Sequence, residues 1–83
     1  MKLLYFAWVR EKIGRAEEEL ELPPDVRRVG DLINWLRGRG PEYEAALADA
    51  ARIRIAVNQE HADLGAAVAR GDEIAIFPPV TGG

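Results

Sequence analysis

The fold of this chain is limited most by a single amphipathic helix that has strand-like segments on both sides. One face of this helix is apolar, because positions i, i+3, i+4 and i+7 are Val29, Leu32, Ile33 and Leu36. Gly38 and Gly40, followed by Pro41, predict the end of that helix. Because a chain of 83 residues buries only a thin core, we expect one domain in which this helix covers one face of a sheet.

Four segments have the composition or the alternation of β-strands. In chain order they are residues 3–9, 17–22, 53–57 and 73–77. A turn at residues 13–15 is expected to join the first two as a hairpin, and the acidic run at residues 17–19 is expected to face solvent on an edge strand. Residues 41–51 predict a second, shorter helix, whereas residues 64–68 fit either a short strand or a turn.

The resulting order of elements is strand, strand, helix, strand, strand. A right-handed crossover places the helix on one face of a mixed sheet, with the first and last strands side by side in the middle. This arrangement is an α+β roll of the β-grasp type. Because Pro78 and Pro79 directly follow the last strand, we expect residues 1–77 to form the domain and residues 78–83 an extended tail.

The helix leaves one face of the sheet uncovered, and apolar side chains alternate onto that face. The side chains predicted to face the helix are Leu3, Tyr5, Ala7, Val9, Ile74 and Ile76. The side chains predicted to face away from it are Leu4, Phe6, Trp8, Ala75 and Phe77. We interpret Phe6, Trp8 and Phe77 as a partner interface with Asn58 and His61 at its rim, since contiguous exposed apolar patches mark such sites. The alternative is that the second helical segment or a loop covers this face.

Composition excludes several classes of protein. Fourteen acidic residues outnumber eleven basic ones, so the net charge of −3 argues against nucleic acid as a ligand. The chain has no cysteine, and its single histidine, His61, has no serine to pair with, which excludes thiol and Ser–His catalysis and thiolate metal sites. No apolar stretch reaches the ~20 residues that span a bilayer, and the N-terminus does not resemble a signal peptide. A soluble, cytoplasmic protein without a membrane partner is therefore expected.

Two charged clusters leave alternatives open. The carboxylates at residues 17–19 either approach a metal ion or, as the edge-strand pattern favours, are solvated. Arg52 and Arg54 either pair with acidic groups of a partner or are solvated.

The C-terminal tail offers the chemistry that the rest of the chain lacks. Its two prolines favour an extended arm, and six extended residues reach roughly 20 Å. Gly82 and Gly83 carry no side chains, so they can pass through a narrow channel. The α-carboxylate of Gly83 is ionised and unreactive at neutral pH, so acyl transfer requires its activation, for instance as a mixed anhydride with AMP. We therefore expect the tail to be a substrate for another enzyme, the alternative being an inert, frayed terminus.

The most specific motif is the ending Phe-Pro-Pro-Val-Thr-Gly-Gly at residues 77–83, preceded by Gly-Asp-Glu-Ile-Ala-Ile at 71–76. Further motifs are Tyr-Phe-Ala-Trp-Val-Arg-Glu at 5–11 and Ala-Val-Asn-Gln at 56–59. Together they resemble the small subunits of molybdopterin synthase, a family of ubiquitin-like sulfur carriers. The resemblance covers the whole chain, although residues 15–52 match in pattern only.

The resemblance implies a sulfur carrier that is not catalytic alone and binds no cofactor or metal itself. An E1-like adenylyltransferase that uses ATP and magnesium would adenylate Gly83, and a sulfur donor would then convert it into a thiocarboxylate. The tail would enter the large catalytic subunit and donate sulfur to cyclic pyranopterin monophosphate, which forms the molybdopterin dithiolene of the molybdenum cofactor. Phe6 and Phe77 would anchor the interface of a heterotetramer with two copies of each subunit. The tail residues assigned to the channel are Pro78, Pro79, Val80 and Thr81, and Gly82 gives clearance beside Gly83.

Three alternatives remain at this point. A sulfur carrier for thiamine thiazole shares the Gly-Gly ending, but the Phe-Pro-Pro-Val-Thr segment argues against it. A ubiquitin-like modifier would be joined to lysines of other proteins. A plain interaction module would keep its tail inert.

Overall fold

The computed structural model describes residues 1–79 and gives them five strands, three α-helices and one 3-10 turn. In chain order these are β1 Lys2–Tyr5, α1 Ala7–Ile13, β2 Glu17–Glu19, α2 Val29–Arg37, α3 Pro41–Leu47, the 3-10 turn Ala50–Arg52, β3 Arg54–Val57, β4 Glu60–Ala62 and β5 Glu73–Phe77. Within residues 1–79, no helix has the length and apolar character that crossing a membrane requires.

The five strands form one mixed sheet in the order β2-β1-β5-β3-β4. β1 and β5 run parallel in its centre, and the other neighbouring pairs are antiparallel. The predicted central pairing of the first and last strands is therefore confirmed, and with it the α+β roll.

The core lies between one face of the sheet and the helices. As the spacing predicts, α2 buries Val29, Leu32, Ile33 and Leu36. The sheet contributes Leu3, Tyr5, Ile55, Ile74 and Ile76 to the same cluster. α3 adds Tyr43 and Leu47, so the second helical segment packs on the core side of the sheet, and it ends earlier than predicted.

The chain leaves the sheet after Tyr5, so the prediction of one strand over residues 3–9 is wrong beyond that point. Ala7 has a φ of +52°, in the left-handed region, where the chain turns into α1. Val9 and Ile13, one helical turn apart, are buried in the core, whereas Ala7, predicted to face inward, is exposed. Gly14, at φ +91°, ends the helix. Tertiary burial thus outweighs the strand propensity of this run, and α1 replaces the tight turn predicted between β1 and β2.

The sequence pattern does not predict the edge strand β4. It pairs with β3 across a two-residue turn at Asn58 and Gln59, which have φ values of +51° and +71°. Such turns favour Asn followed by Gly. Because the second position here is Gln, the sequence lacks the usual signal for a hairpin. Residues 64–68 form a turn that makes a single bridge, between Arg28 and Ala67.

Glu18 lies inside the fold, so the prediction that the acidic run of β2 faces solvent is wrong at this residue. It pairs with Leu3 in the register of the sheet and therefore shares the core-facing side, where its side chain is 3% exposed. Its Oε2 atom accepts hydrogen bonds of 2.7 Å from the hydroxyls of Tyr5 and Tyr43. Its Oε1 atom accepts bonds of 3.0 Å from Nη1 of Arg15 and of Arg39. These four donors replace the water that burial removes.

We expect the domain to lose stability on acidification as Glu18 becomes protonated. Burial alone raises the pKa of the Glu18 carboxyl, but the hydrogen bonds from Tyr43, Tyr5 and Arg39 outweigh it and hold the pKa below the ordinary value of 4.5. A carboxyl whose pKa is depressed by folding contributes stability above its unfolded pKa, and that contribution is lost as the pH falls through the folded pKa. The free energy of unfolding in urea should therefore decrease below pH 4.5. Glu18→Gln should flatten that decrease, and an unchanged pH profile in the variant would contradict this role.

Candidate functional site

The face of the sheet that points away from the helices, named the outer face, carries a row of three apolar side chains and one histidine. Leu4, Ala75, Ala56 and His61 occupy successive paired positions across β1, β5, β3 and β4. Paired positions in a sheet share a face, so these four side chains form one row across it. α3 does not cover this row, because its buried residues belong to the core on the opposite side.

Aromatic side chains gather at the end of the outer face where β5 ends. Phe6 follows β1 directly, is 45% exposed, and donates its N–H to the Ile76 carbonyl at 3.1 Å. Phe77 is half-buried, and its ring meets that of His61 edge-on with centroids 5.7 Å apart. The structure thus brings the rings of Phe77 and His61 into contact and places the backbone of Phe6 beside the end of β5. The role of the three residues as a partner interface stays a prediction.

Trp8 occupies a different position from the one predicted, because it lies on α1 and not on a strand beside Phe6. Its ring faces the guanidinium of Arg52, with the Arg52 Cζ atom 5.3 Å from the ring centroid. Trp8, Arg52 and Ala51 line a groove together with Pro78 and Pro79. Trp8 therefore lies next to Pro78 and Pro79. No sequence pattern predicts its contact with Arg52, which is distant along the chain.

Asn58 does not join this site, contrary to the expectation that it lies at the rim. It follows β3 at the end of the sheet opposite to Arg54, which pairs with Phe77. Its side chain donates to Asp72 at 2.9 Å and accepts the Glu73 N–H at 3.0 Å. Asn58 therefore links the turn before β5 to the β3–β4 hairpin by hydrogen bonds.

Pro78 and Pro79 follow β5 and are half-buried beside the groove. The other predicted tail residues, Val80, Thr81, Gly82 and Gly83, lie outside the described residues. The described part of the chain ends at Pro79, at the end of the sheet where β5 ends.

Ionisable side chains of residues 1–79 do not form a group of three or more potential metal ligands. The carboxylates of β2 do not point to one common site. Glu18 is buried among tyrosines and arginines, whereas Glu17 forms an ion pair with Lys2 at 3.3 Å.

The mixed sheet with its central parallel pair and helices on one face defines the class of ubiquitin-like β-grasp proteins. The structure aligns with the crystal structure of SAMP1 from Haloferax volcanii at a TM-score of 0.79 and 35% identity, covering 100% of this chain and 98% of that one. The ThiS family model matches residues 3–83, and the chain belongs to the ThiS family.

Two curated relatives extend the comparison over the full length. The molybdopterin synthase sulfur carrier subunit of Haemophilus influenzae is 37% identical over 83 residues, covering 100% of this chain and 99% of the relative. Small archaeal modifier protein 1 of Haloferax volcanii is 37% identical over 90 residues, covering 100% of both. The relatives named as sulfur carrier subunits confirm the predicted function, that of a molybdopterin synthase sulfur carrier.

Proposed function

We propose that the chain carries sulfur as a thiocarboxylate on Gly83 and delivers it to a larger catalytic subunit in the cytoplasm. One observation supports this proposal most. β5 ends at Phe77, beside the exposed Phe6, so the chain segment that leads to Gly83 departs from the aromatic end of the outer face. A protein that binds this face therefore receives the tail at the same time.

The first step of the proposed reaction activates the terminal carboxylate. In the active site of an E1-like adenylyltransferase, a carboxylate oxygen of Gly83 attacks the α-phosphorus of ATP and releases pyrophosphate. A sulfide-level donor then adds its sulfur to the carbonyl carbon, and AMP leaves with the oxygen that had attacked phosphorus. ATP and magnesium belong to the activating enzyme, and this chain contributes the carboxylate and the surface that positions it.

The second step takes place in the large subunit of molybdopterin synthase. The thiocarboxylate is a better nucleophile than the carboxylate, and a closed pocket of the partner protects it from water. Pro78, Pro79, Val80 and Thr81 pass through the partner's channel, and the glycines leave clearance around the reacting sulfur. The thiocarboxylate sulfur displaces an oxygen substituent at a carbon of cyclic pyranopterin monophosphate, which gives a thioester between Gly83 and the substrate. One water then cleaves the bond between the Gly83 carbonyl and the sulfur, so the sulfur stays on the substrate and the Gly83 carboxylate is regenerated. Acid–base groups for both steps come from the large subunit.

Intact-mass spectrometry tests the proposal directly. The chain is incubated with the E1-like adenylyltransferase of the same organism, ATP, magnesium and sulfide, and a reaction without ATP is the control. We expect a mass gain equal to the replacement of one oxygen by sulfur, with fragment ions that place it on Gly83. An unchanged mass, with an enzyme that activates another carrier normally, would contradict the proposal.

Replacing Phe6 should weaken binding to the large subunit. Phe6→Ala removes an exposed aromatic ring from the proposed interface, and truncation of a central aromatic contact raises Kd roughly 10- to 100-fold. Isothermal titration calorimetry with the large subunit measures this change. Leu64→Ala is the matched control, because Leu64 is an apolar side chain of similar exposure, 49% against 45%, in the loop after β4. Equal affinities for the wild type and Phe6→Ala would remove Phe6 from the interface.

A second candidate function is attachment to other proteins, favoured by the full-length similarity to small archaeal modifier protein 1. In that case the activated Gly83 carbonyl would form an isopeptide bond with a lysine amine, and AMP would leave. Tagged chain expressed in its own organism should then yield higher-mass adducts that carry a Gly-Gly remnant on lysine. Adducts that persist when the large subunit gene is deleted would favour the modifier, and their absence would favour the carrier.

A further inference from the structure

We infer that Arg52 and Arg54 form a docking site for acidic side chains of the activating enzyme, an inference that rests on the proposed function. Arg52 ends the 3-10 turn and Arg54 begins β3, so the two cations are separated by one buried residue, Ile53. Both are exposed, and both lie at the end of the sheet where the tail begins.

Arg52 is held in place by an aromatic ring. Its Cζ atom lies 5.3 Å from the centroid of Trp8, in the range of a cation–π contact. The groove that they share is also lined by Pro78 and Pro79. A guanidinium stacked on a ring keeps its in-plane N–H donors available, so Arg52 can bind a carboxylate without losing this contact.

Arg54 is held by the backbone. Its Nη1 atom donates to the carbonyls of Ile53 at 2.9 Å and Ala51 at 3.3 Å. A guanidinium has five N–H donors, so further donors remain for a partner. Arg54 also pairs in register with Phe77, which places this charge next to the apolar part of the outer face.

Neither cation is neutralised within residues 1–79. The ion pairs of this part of the chain use the cations of Lys2, Arg15, Arg37 and Arg39. The nearby carboxylates of Asp49 and Asp63 accept backbone N–H groups, from Ala51 at 3.0 Å and Gly65 at 3.1 Å. Two preorganised and uncompensated arginines beside the tail therefore suit carboxylates of another molecule.

Charge at the opposite end of the sheet makes the site directional. There, Lys2 pairs in register with both Glu19 and Glu73, and Glu60 and Asp72 lie beside the β3–β4 turn. With a net charge of −3, the chain as a whole is repelled by an acidic surface. Two neighbouring arginines beside the tail give a local attraction that a single cation such as Arg70, which lies among acidic residues at the opposite end, matches less well.

An extended tail would place these arginines far from the reacting atoms. The four residues that follow Pro79 can place the Gly83 carboxylate up to about 14 Å further on when extended. A guanidinium beside Pro78 and Pro79 therefore contacts the mouth of the partner's site and not the reacting atoms. Charges at the rim of an interface mainly raise the association rate, which suits the brief encounter with an activating enzyme better than a lasting subunit contact.

The test reverses the two charges and follows adenylation. For Arg52→Glu/Arg54→Glu, ATP–pyrophosphate exchange by the E1-like adenylyltransferase of the same organism is measured against carrier concentration. We expect kcat/KM to fall about tenfold or more at low ionic strength, with kcat at saturation unchanged. The loss should shrink as salt is raised, because screening shortens the range of the attraction. Arg52→Gln/Arg54→Gln, which removes the charges without reversing them, should give a smaller loss.

Arg27→Glu/Arg70→Glu is the matched control, because it changes the net charge equally at two exposed arginines outside the groove. An equal loss in this control would overturn the inference in favour of net charge alone. A loss confined to binding of the large subunit would also overturn it. Normal kcat/KM in the reversed variant overturns the inference alone, whereas a wild-type chain that is never adenylated overturns the proposed function together with it.

Discussion

Deletion of Gly83 should abolish thiocarboxylate formation in the intact-mass assay. The shortened chain still ends in a carboxylate, on Gly82, but this carboxylate lies one residue, about 3.3–3.6 Å, short of the position that the Gly83 carboxylate reaches. A displacement of about 1 Å from the reacting position can cost on the order of 100-fold in rate, so we expect no sulfur gain above background. Circular dichroism should show an unchanged fold, because the deleted residue lies beyond β5, the last strand of the sheet.

Two glycine variants serve as controls for the deletion. Gly83→Ala retains the length and the carboxylate and adds one methyl group, so it should be thiocarboxylated more slowly than the wild type but measurably. Gly71→Ala lies in the turn before β5, where an added Cβ meets no heavy atom within 4 Å, and should behave like the wild type. A deletion variant that gains sulfur at the wild-type rate would show that the chemistry is not at the terminal glycine.

Glu18→Ala should destabilise the domain by about 3–5 kcal/mol, the range found when one partner of a buried charge network is removed. The substitution leaves the hydroxyls of Tyr5 and Tyr43 without their common acceptor and leaves Arg39 without its carboxylate. Small domains have a total stability of about 5–15 kcal/mol, so this loss is a large fraction of it. Thermal unfolding should show a Tm lower by more than about 10 °C.

Glu17→Ala is the control for this substitution. Glu17 is the neighbouring residue on β2, its side chain is 60% exposed, and its ion pair with Lys2 lies at the surface. An exposed pair contributes less than about 1 kcal/mol, so the Tm of Glu17→Ala should remain within a few degrees of the wild type. Similar losses in both variants would show that the position of the charge in the network does not matter.

The sequence predicts best where a pattern is local. The spacing of α2, with Val29 and Leu36 two turns apart, and the alternation of Ile74 and Ile76 in β5 specify their elements without reference to the rest of the chain. The pairing of the first and last strands follows from the handedness of the crossover.

Prediction fails where distant residues decide the outcome. The run that contains β1 has strand propensity throughout, yet Val9 contributes to the core from a helix. Glu18 carries a buried charge, and two of the donors that stabilise it are distant in sequence: Tyr43 is 25 residues away and Arg39 is 21 residues away. The stacking of Arg52 on Trp8 likewise joins separate segments, so no spacing rule reveals it.

The parallel pairing of β1 with β5 also has a consequence for synthesis of the protein. Tyr5 pairs with Ile76, so the centre of the sheet needs both the first and the last strand. Contacts between such distant residues form late, because the intervening loop must first be closed. A nascent chain therefore acquires its central strand pair only after β5 has been synthesised. Any enzyme that recognises the folded outer face thereby meets chains that already contain β5, so a chain that stops before Phe77 is not recognised.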